Sequence, residues 1–325
     1  MLSRISWITA ALFLGILSSG WSQPIVEAHY LTFDNETPGA LAQGTTLIPA
    51  STERADYFVE RVVAYSPSGS NDGPEIAAPS LANPLQGGQV LACDPANSND
   101  EGLWVEMTQG FPVGDITVEA MFFTSEVNPD RPSAEFNLGL QTIVGTEVPG
   151  GAYVQGQLRI LGSNGELQWN VGIPGGGEVR VTAPVLADTW YHAAGIVHYN
   201  ESDPANSSIE LFLAAGAPIN LGTDSQGTAA IDLSSASVLV GWAAELDVVN
   251  GPDAIPGDPD NDPSDNKNRY FIGCGSNNAI NGDDYRGLLG EIDAVAVTAQ
   301  DTEIYLPDAP PAPAVLGTAA WGSYR

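Results

Sequence analysis

The chain has 325 residues, of which 36 are Gly and 24 Pro, with 43% hydrophobic and only 15% charged. Those proportions exclude a coiled coil, which needs dense charged heptads, and a mostly disordered chain, which lacks apolar residues to bury. Forty Asp plus Glu stand against ten Lys plus Arg, a formal charge of -30, and Lys267 is the sole lysine. A nucleic-acid-binding surface must neutralise phosphates with basic side chains, so the charge argues against one. An acidic, Lys-poor surface suits a salty or divalent-rich extracellular medium, where repulsion is screened.

Residues 1–22 contain one cation, Arg4, then the apolar run ISWITAALFLGIL and small residues up to Ser22. This is the pattern of a secretory signal peptide cleaved near Ser22. An uncleaved anchor is the other reading, although an apolar run of about 13 residues is short for a bilayer span. Export predicts a mature protein that is extracellular or on the cell surface, without membrane insertion after cleavage. An oxidising compartment also makes Cys93 and Cys274 a candidate disulfide across the chain's two halves, two buried thiols being the alternative. Asn35, Asn200 and Asn206 begin tripeptides of the N-glycosylation pattern.

Between residues 28 and 300, short apolar or alternating runs are broken by Gly, Pro, Asn and Asp, which predicts an all-β domain. In chain order the runs are HYLTF, GQVLAC, GLWVEM, DITVEAMFF, AEFNLGLQTIV, AYVQGQLRIL, ELQWNV, EVRVTA, TWYHAAGIVHY, SIELFLAA, SVLVGW, RYFIGC and GLLGEIDAVAV. Strands at this spacing suit a two-sheet antiparallel sandwich. Along TWYHAAGIVHY, Tyr191, Ala193, Gly195, Val197 and Tyr199 share one face, and Trp190, His192, Ala194, Ile196 and His198 the other. ADYFVERVVAYS, at residues 55–66, has helical character and predicts a short helix within an insertion ending near Pro84. A second insertion, residues 245–268, is acidic and Pro-rich and reads as a long surface loop. The segment 307–325 begins as a Pro/Ala-rich tail.

Six of these segments, in order, resemble the laminin-G-like jelly roll of the concanavalin A-like lectin and glucanase superfamily. HYLTFDNETPG is similar to that family's first strand, which ends in Phe-Asp and an acidic turn. GQVLACDPANSNDEGLWVEM, DITVEAMFF, TWYHAAGIVHY and SIELFLAAG look like successive strands, and GLLGEIDAVAV like the closing Gly-x-Ile-Asp-x-Val strand. The resemblance implies a jelly-roll sandwich over residues 28–300. Cys93, Ala214-Ala215 and the two insertions depart from the family pattern.

The superfamily includes glucanases that place carboxylates on one strand in an E-x-D-x-E or E-x-D-x-x-E pattern. Here Glu291 and Asp293 are followed by Ala294, Val295 and Ala296, so the third carboxylate, the proton donor, is missing and a non-enzymatic role is expected. His192 and His198 lie on one strand about 20 Å apart, too far to share an ion. His29 is isolated, and there is no G-x-S-x-G elbow. Structural Ca²⁺ is the cofactor expectation, because it takes six to eight oxygen ligands of the kind acidic loops supply. One candidate site pairs Asp34 with Asp293, whose family counterparts are acidic. The other is the loop with Asp258, Asp260 and Asp262, which begins like an EF-hand but has Pro263 at the sixth position and Arg269 at the twelfth. Trp104, Trp169 and Trp242 are candidates for sugar stacking, with a core role as the alternative. The resulting expectation is a secreted, non-catalytic module that binds a glycan or a surface protein. The alternatives are an extracellular glycan hydrolase or lyase with an atypical site, and a structural surface or matrix component.

Overall fold

The computed structural model describes residues 27–34, 36–42, 44–47, 59–65, 74–83, 88–93, 102–107, 114–127, 140–145, 155–162, 164–173, 177–234, 268–274 and 287–299. The signal segment, Asn35, Trp242, Asp258, Asp260, Asp262, the tail from residue 307 and the SVLVGW run lie outside them. Two antiparallel sheets make a jelly-roll sandwich, as the strand pattern predicts. Among the described residues, helical structure is one 3-10 turn, Pro204–Asn206, and no helix is long and apolar enough to cross a membrane.

Sheet A runs in the order β15 (Ser225–Ile231), β14 (Ser207–Ala215), β13 (Thr189–His198), β8 (Ile116–Thr124), β17 (Gly290–Ala299), β6 (Val90–Cys93), β5 (Glu75–Ala77) and β2 (Gly39–Ala40). β1 (Glu27–Thr32) shares one edge of β17 with β6, pairing residues 294–299 while β6 pairs residues 290–292. Sheet B runs β12 (Glu178–Pro184), β11 (Glu166–Gly172), β10 (Gln155–Leu161), β9 (Leu140–Gly145), β16 (Asn268–Ile272), β7 (Gly102–Met107), β4 (Val59–Tyr65) and β3 (Thr46–Leu47). The chain passes between sheets after β2, β4, β6, β7, β8, β12, β15 and β16, which interleaves early and late strands.

Period-two alternation decides which side chains meet between the sheets. Ile116, Val118, Ala120 and Phe122 of β8 join Tyr191, Ala193 and Val197 of β13 in one continuous core with Leu158, Ile160, Leu167, Trp169 and Val171 from sheet B. The intervening residues differ sharply between the sheets. On sheet A they are Thr117, Glu119, Met121, Phe123, Trp190, His192, Ala194 and Ile196, all buried. On sheet B they are Gln157, Arg159, Gln168, Asn170, Glu178 and Arg180. Sheet A therefore carries a second, smaller apolar layer on its outer side, including Val90, Phe123 and Trp190, whereas sheet B carries a polar one.

Residues 59–65 correct the expectation of a helix there. VERVVAY is strand β4, paired with β7 through Val62↔Val105 and Ala64↔Leu103 and with β3 through Thr46↔Val63. Three Val residues favour extended backbone, and burying Val62 and Ala64 in the core outweighs the weak helical periodicity. Glu75–Ala77, in the same supposed insertion, adds β5 to sheet A. β15 was also unread as a strand, because SQGTAAI has few β-branched residues and is mostly exposed at the sheet edge.

Cys93 ends β6 and Cys274 follows β16; both are buried thiols here. Cys93 Sγ lies against Gly273, where an added Cβ would come within 2.5 Å of it. Cys274 Sγ donates to the Leu103 carbonyl at 3.6 Å. Cys93 Sγ therefore lies beside the residue that precedes Cys274, where sheets A and B meet, and the expected disulfide is not formed here.

The sheets are locked by Trp169 on β11. Its indole is fully buried and Nε1–H donates to the Ile196 carbonyl of β13 at 3.1 Å. The ring occupies the space above Gly195, where a Cβ would lie 2.3 Å from Trp169 Cδ2. Any larger residue at 195 must push the ring or separate the sheets. Gly195→Ala should therefore destabilise the protein by about 1–3 kcal/mol, the usual cost of overpacking, measured as a lower midpoint in chemical denaturation. In a Trp169→Leu background the cost should fall toward zero; an equal cost in both backgrounds would refute the lock.

Candidate functional site

Two places gather polar side chains that the fold does not use up. The first is at one end of sheet A. Asp34, just after β1, accepts a hydrogen bond at Oδ1 from the Gln89 backbone N–H at 2.9 Å. Gln89 Nε2 donates to the carbonyls of Asp34 and Glu36, each at 3.0 Å. Gly88 is needed beneath this carboxylate: its φ is +116° and a Cβ there would fall 1.9 Å from Asp34 Oδ1. Asp293 sits at the irregularity in β17 where register with β8 shifts between Ile292 and Ala294. Bulges of this kind re-aim a side chain out of the alternation. Its carboxylate is buried, and Oδ2 has no hydrogen-bond partner.

Burial pushes the Asp293 carboxyl up to about 7, the Asn83 side chain opposes this, and the Asp34 charge adds to it. The two acids singled out from sequence are thus brought close enough for their charges to interact. An unpartnered carboxylate oxygen beside a second carboxylate is chemistry that would suit a cation. Among the described residues no group of three or more His, Cys, Asp or Glu side chains gathers. A Ca²⁺ ion held by Asp34 and Asp293 would therefore take its remaining oxygens from Asn83, backbone carbonyls and water.

Glu291, the other carboxylate of the Glu-Ile-Asp run, is occupied. It accepts from the Ser80 backbone N–H at 2.9 and 3.2 Å and from the Ser80 hydroxyl. Trp190 Nε1–H donates to the Leu81 carbonyl at 3.4 Å. Residues 80–83 are therefore strapped to sheet A by β17 and β13 together, and Glu291 is a structural anchor. The histidines are separate, as their spacing requires. His192 Nδ1 accepts from the Ile219 N–H at 3.0 Å, so the ring proton is on Nε2, which faces Glu119 Oε2 at 3.4 Å with both side chains fully buried. His198 pairs across strands with Glu210 at 3.0 Å, and Glu210 also accepts from Ser225. His29 and Trp104 lie on β1 and β7, with side chains outside the described residues, and Trp169 is core.

The second place is the outer face of sheet B, and no residue of it was singled out from sequence. Register aligns Thr142, Arg159, Gln168 and Thr182 in one row across β9–β12, and Gly145, Gln157, Asn170 and Arg180 in the next. The Arg159 guanidinium organises the floor. Nε–H donates to Gln168 at 3.2 Å, Nη1 to Gln157 at 2.9 Å and Nη2 to Glu178 at 3.2 Å. Burial lowers the Arg159 pKa, Glu178 opposes that by attraction and hydrogen bonding, and Arg180 adds to it by repulsion. Exposure increases toward β12: the Arg159 side chain is 11% exposed and that of Glu178 53%. Asn170 Oδ1 and Thr142 Oγ1 are buried on this face without hydrogen-bond partners. Leaving such a group unsatisfied costs about 1–3 kcal/mol. The signal for this floor was present as polar residues at alternate positions in three consecutive strands, QGQLRIL, ELQWNVG and EVRVTAP. Each strand separately resembles an ordinary solvated face.

No protein-family model matches the chain, and no curated protein does. Among solved structures it is similar to a pseudo β-1,3-glucanase of Mycobacterium tuberculosis, at 15% identity over 84% of this chain and 98% of that one, with a TM-score of 0.36. It is also similar to a glycosyl hydrolase family protein of Mycobacterium fortuitum, at 13% identity over 82% and 97%, with a TM-score of 0.35. A heptameric pentraxin of Limulus polyphemus matches at 12% identity over 69% and 75%, with a TM-score of 0.32.

The Asp293 shift gives a pH dependence with a definite sign. A carboxyl raised from 3.8 to about 7 keeps its proton in the folded protein where the unfolded chain has released it. Its contribution is therefore fully present below pH 3.8 and declines as pH rises toward 7. In a calcium-free buffer containing EDTA, melting temperatures of the wild type should fall through that window more steeply than those of Asp293→Asn. Identical pH profiles would contradict the placement of Asp293.

Proposed function

We propose that this protein is a secreted, laminin-G-like binding module that takes a glycan on the outer face of sheet B without cleaving it. The observation that carries the reading is the concentration of amide, hydroxyl and guanidinium groups on that face, ordered by Arg159 and reaching solvent at Glu178, Arg180 and Thr182. Sugar hydroxyls both donate and accept hydrogen bonds, so a hydroxyl-rich chain satisfies such groups. Retaining or inverting hydrolysis would need two carboxyl groups flanking the bond. This face carries Glu178, bound to Arg159, and Glu166 at the start of β11, which accepts from Asn164. The engagement of Glu178 by Arg159 favours binding over glycosidic cleavage.

Calcium has a structural part in this reading. Held by Asp34 and Asp293 only in the folded state, it adds stability by mass action, about 2.7 kcal/mol at a hundredfold excess over the dissociation constant. It acts at the β1–β17 end of sheet A and takes no part in contacting the glycan.

A glycan array probed with and without EDTA tests both halves. Binding to one or more neutral glycans should persist in EDTA while the melting temperature drops. Arg180→Ala, at an exposed position of this face, should weaken that binding about tenfold with little change in melting temperature. Absence of binding across the array, or full retention in Arg180→Ala, would reject the site. A melting temperature indifferent to calcium at matched ionic strength would reject the ion.

A further inference from the structure

The binding reading leaves open which glycans the floor accepts, and the Arg159–Glu178 pair bears on this. We propose that Glu178 is a charge filter: by holding the Arg159 guanidinium with its own carboxylate, it reserves the floor for uncharged, hydroxyl-rich saccharides and turns away uronates. This rests on the reading of the outer face of sheet B as a glycan site.

A buried guanidinium on a sheet face is the natural partner for a ligand carboxylate, because its planar fork matches one. Here that position is already taken. Three of the five guanidinium N–H groups are committed to Gln168, Gln157 and Glu178. The carboxylate among these partners comes from the exposed, β12 side of the floor. A uronate approaching Arg159 from that side would have to displace Glu178 or share the guanidinium with it, which sets two like charges together. Arg180, on the same face of the same strand, and Glu166, on the same face of β11, bring the described charges of the floor to two cations and two anions. Arg180 is exposed, so it is hydrated and screened.

The formal charge of -30 on the chain adds a general repulsion toward polyuronates. Glu178 lies outside the core and pairs with no other described cation, so removing its charge alters the floor and leaves the sandwich intact.

The test uses the full secreted protein and calorimetric titration with neutral gluco-, manno- and xylo-oligosaccharides alongside oligogalacturonate and oligomannuronate. The wild type should prefer the neutral set. Glu178→Gln should move the ratio of uronate to neutral affinity by about tenfold or more toward uronate, since a charge-assisted pair becomes available. The gained uronate binding should weaken with added salt. Glu178→Asp should keep the wild-type preference, and Arg159→Gln added to Glu178→Gln should remove the gain. An unchanged ratio in Glu178→Gln, or a wild type that prefers uronates, would overturn the filter while leaving the glycan site standing. If neither class binds any variant, the glycan reading itself fails and the filter with it.

Discussion

The contact between Trp169 and Gly195 is the constraint from which the rest of the arrangement follows. Sheets stack about 10 Å apart, and an indole is the largest side chain that has to fit in that gap. It fits because β13 offers a bare backbone at Gly195, and it is held at one angle by the bond from Nε1 to the Ile196 carbonyl. With Trp169 fixed inward, the pleat leaves Gln168 and Asn170 no choice but to face outward. A slip of one residue in β11 would bury both amides in the core and expose the indole, so register is strongly specified. The position of the polar floor is therefore a consequence of core packing, set by a residue that never touches it.

The two outer faces then divide the work. Sheet A is covered: its central strands are buried on both sides, and its charged groups are consumed by structure, Glu291 by Ser80, Glu119 facing His192, Glu210 by His198 and Ser225. Most buried polar groups of this sheet meet a partner, whereas Thr32 Oγ1, His192 Nε2, Asp293 Oδ2 and Thr298 Oγ1 lack a hydrogen bond. On sheet B the outer polar groups are partly paired, through Arg159, and partly orphaned at Asn170 and Thr142. Buried groups left open in this way, on either sheet, are completed by a ligand or by ordered water.

The fold was largely legible because alternation is strong in β8, β10, β11, β12 and β13, and their faces are those the pattern specifies. β4 was misread since VERVVAY also matches a helical spacing over so short a run, and only pairing with β3 and β7 decides between the two. β15 was invisible because an exposed edge strand needs no apolar stripe. The acidic pair Asp34 and Asp293 was readable from resemblance, and the bulge that turns Asp293 toward Asp34 was not. The polar floor was unreadable for a deeper reason. It exists only when β9, β10, β11 and β12 stand side by side, which is a property of sheet order and not of any one segment.

The central claim, that the outer face of sheet B is where this protein meets its ligand, is tested most directly by NMR titration with a neutral oligosaccharide that the array identifies. The probes are the Arg159 Nε–H and the side-chain amides of Gln157, Gln168 and Asn170. The account predicts that these resonances shift together and saturate at one dissociation constant, while those of His198 and Ser225 on sheet A stay still. Shifts confined to sheet A, with the Arg159 and Asn170 signals unmoved at saturation, would contradict it.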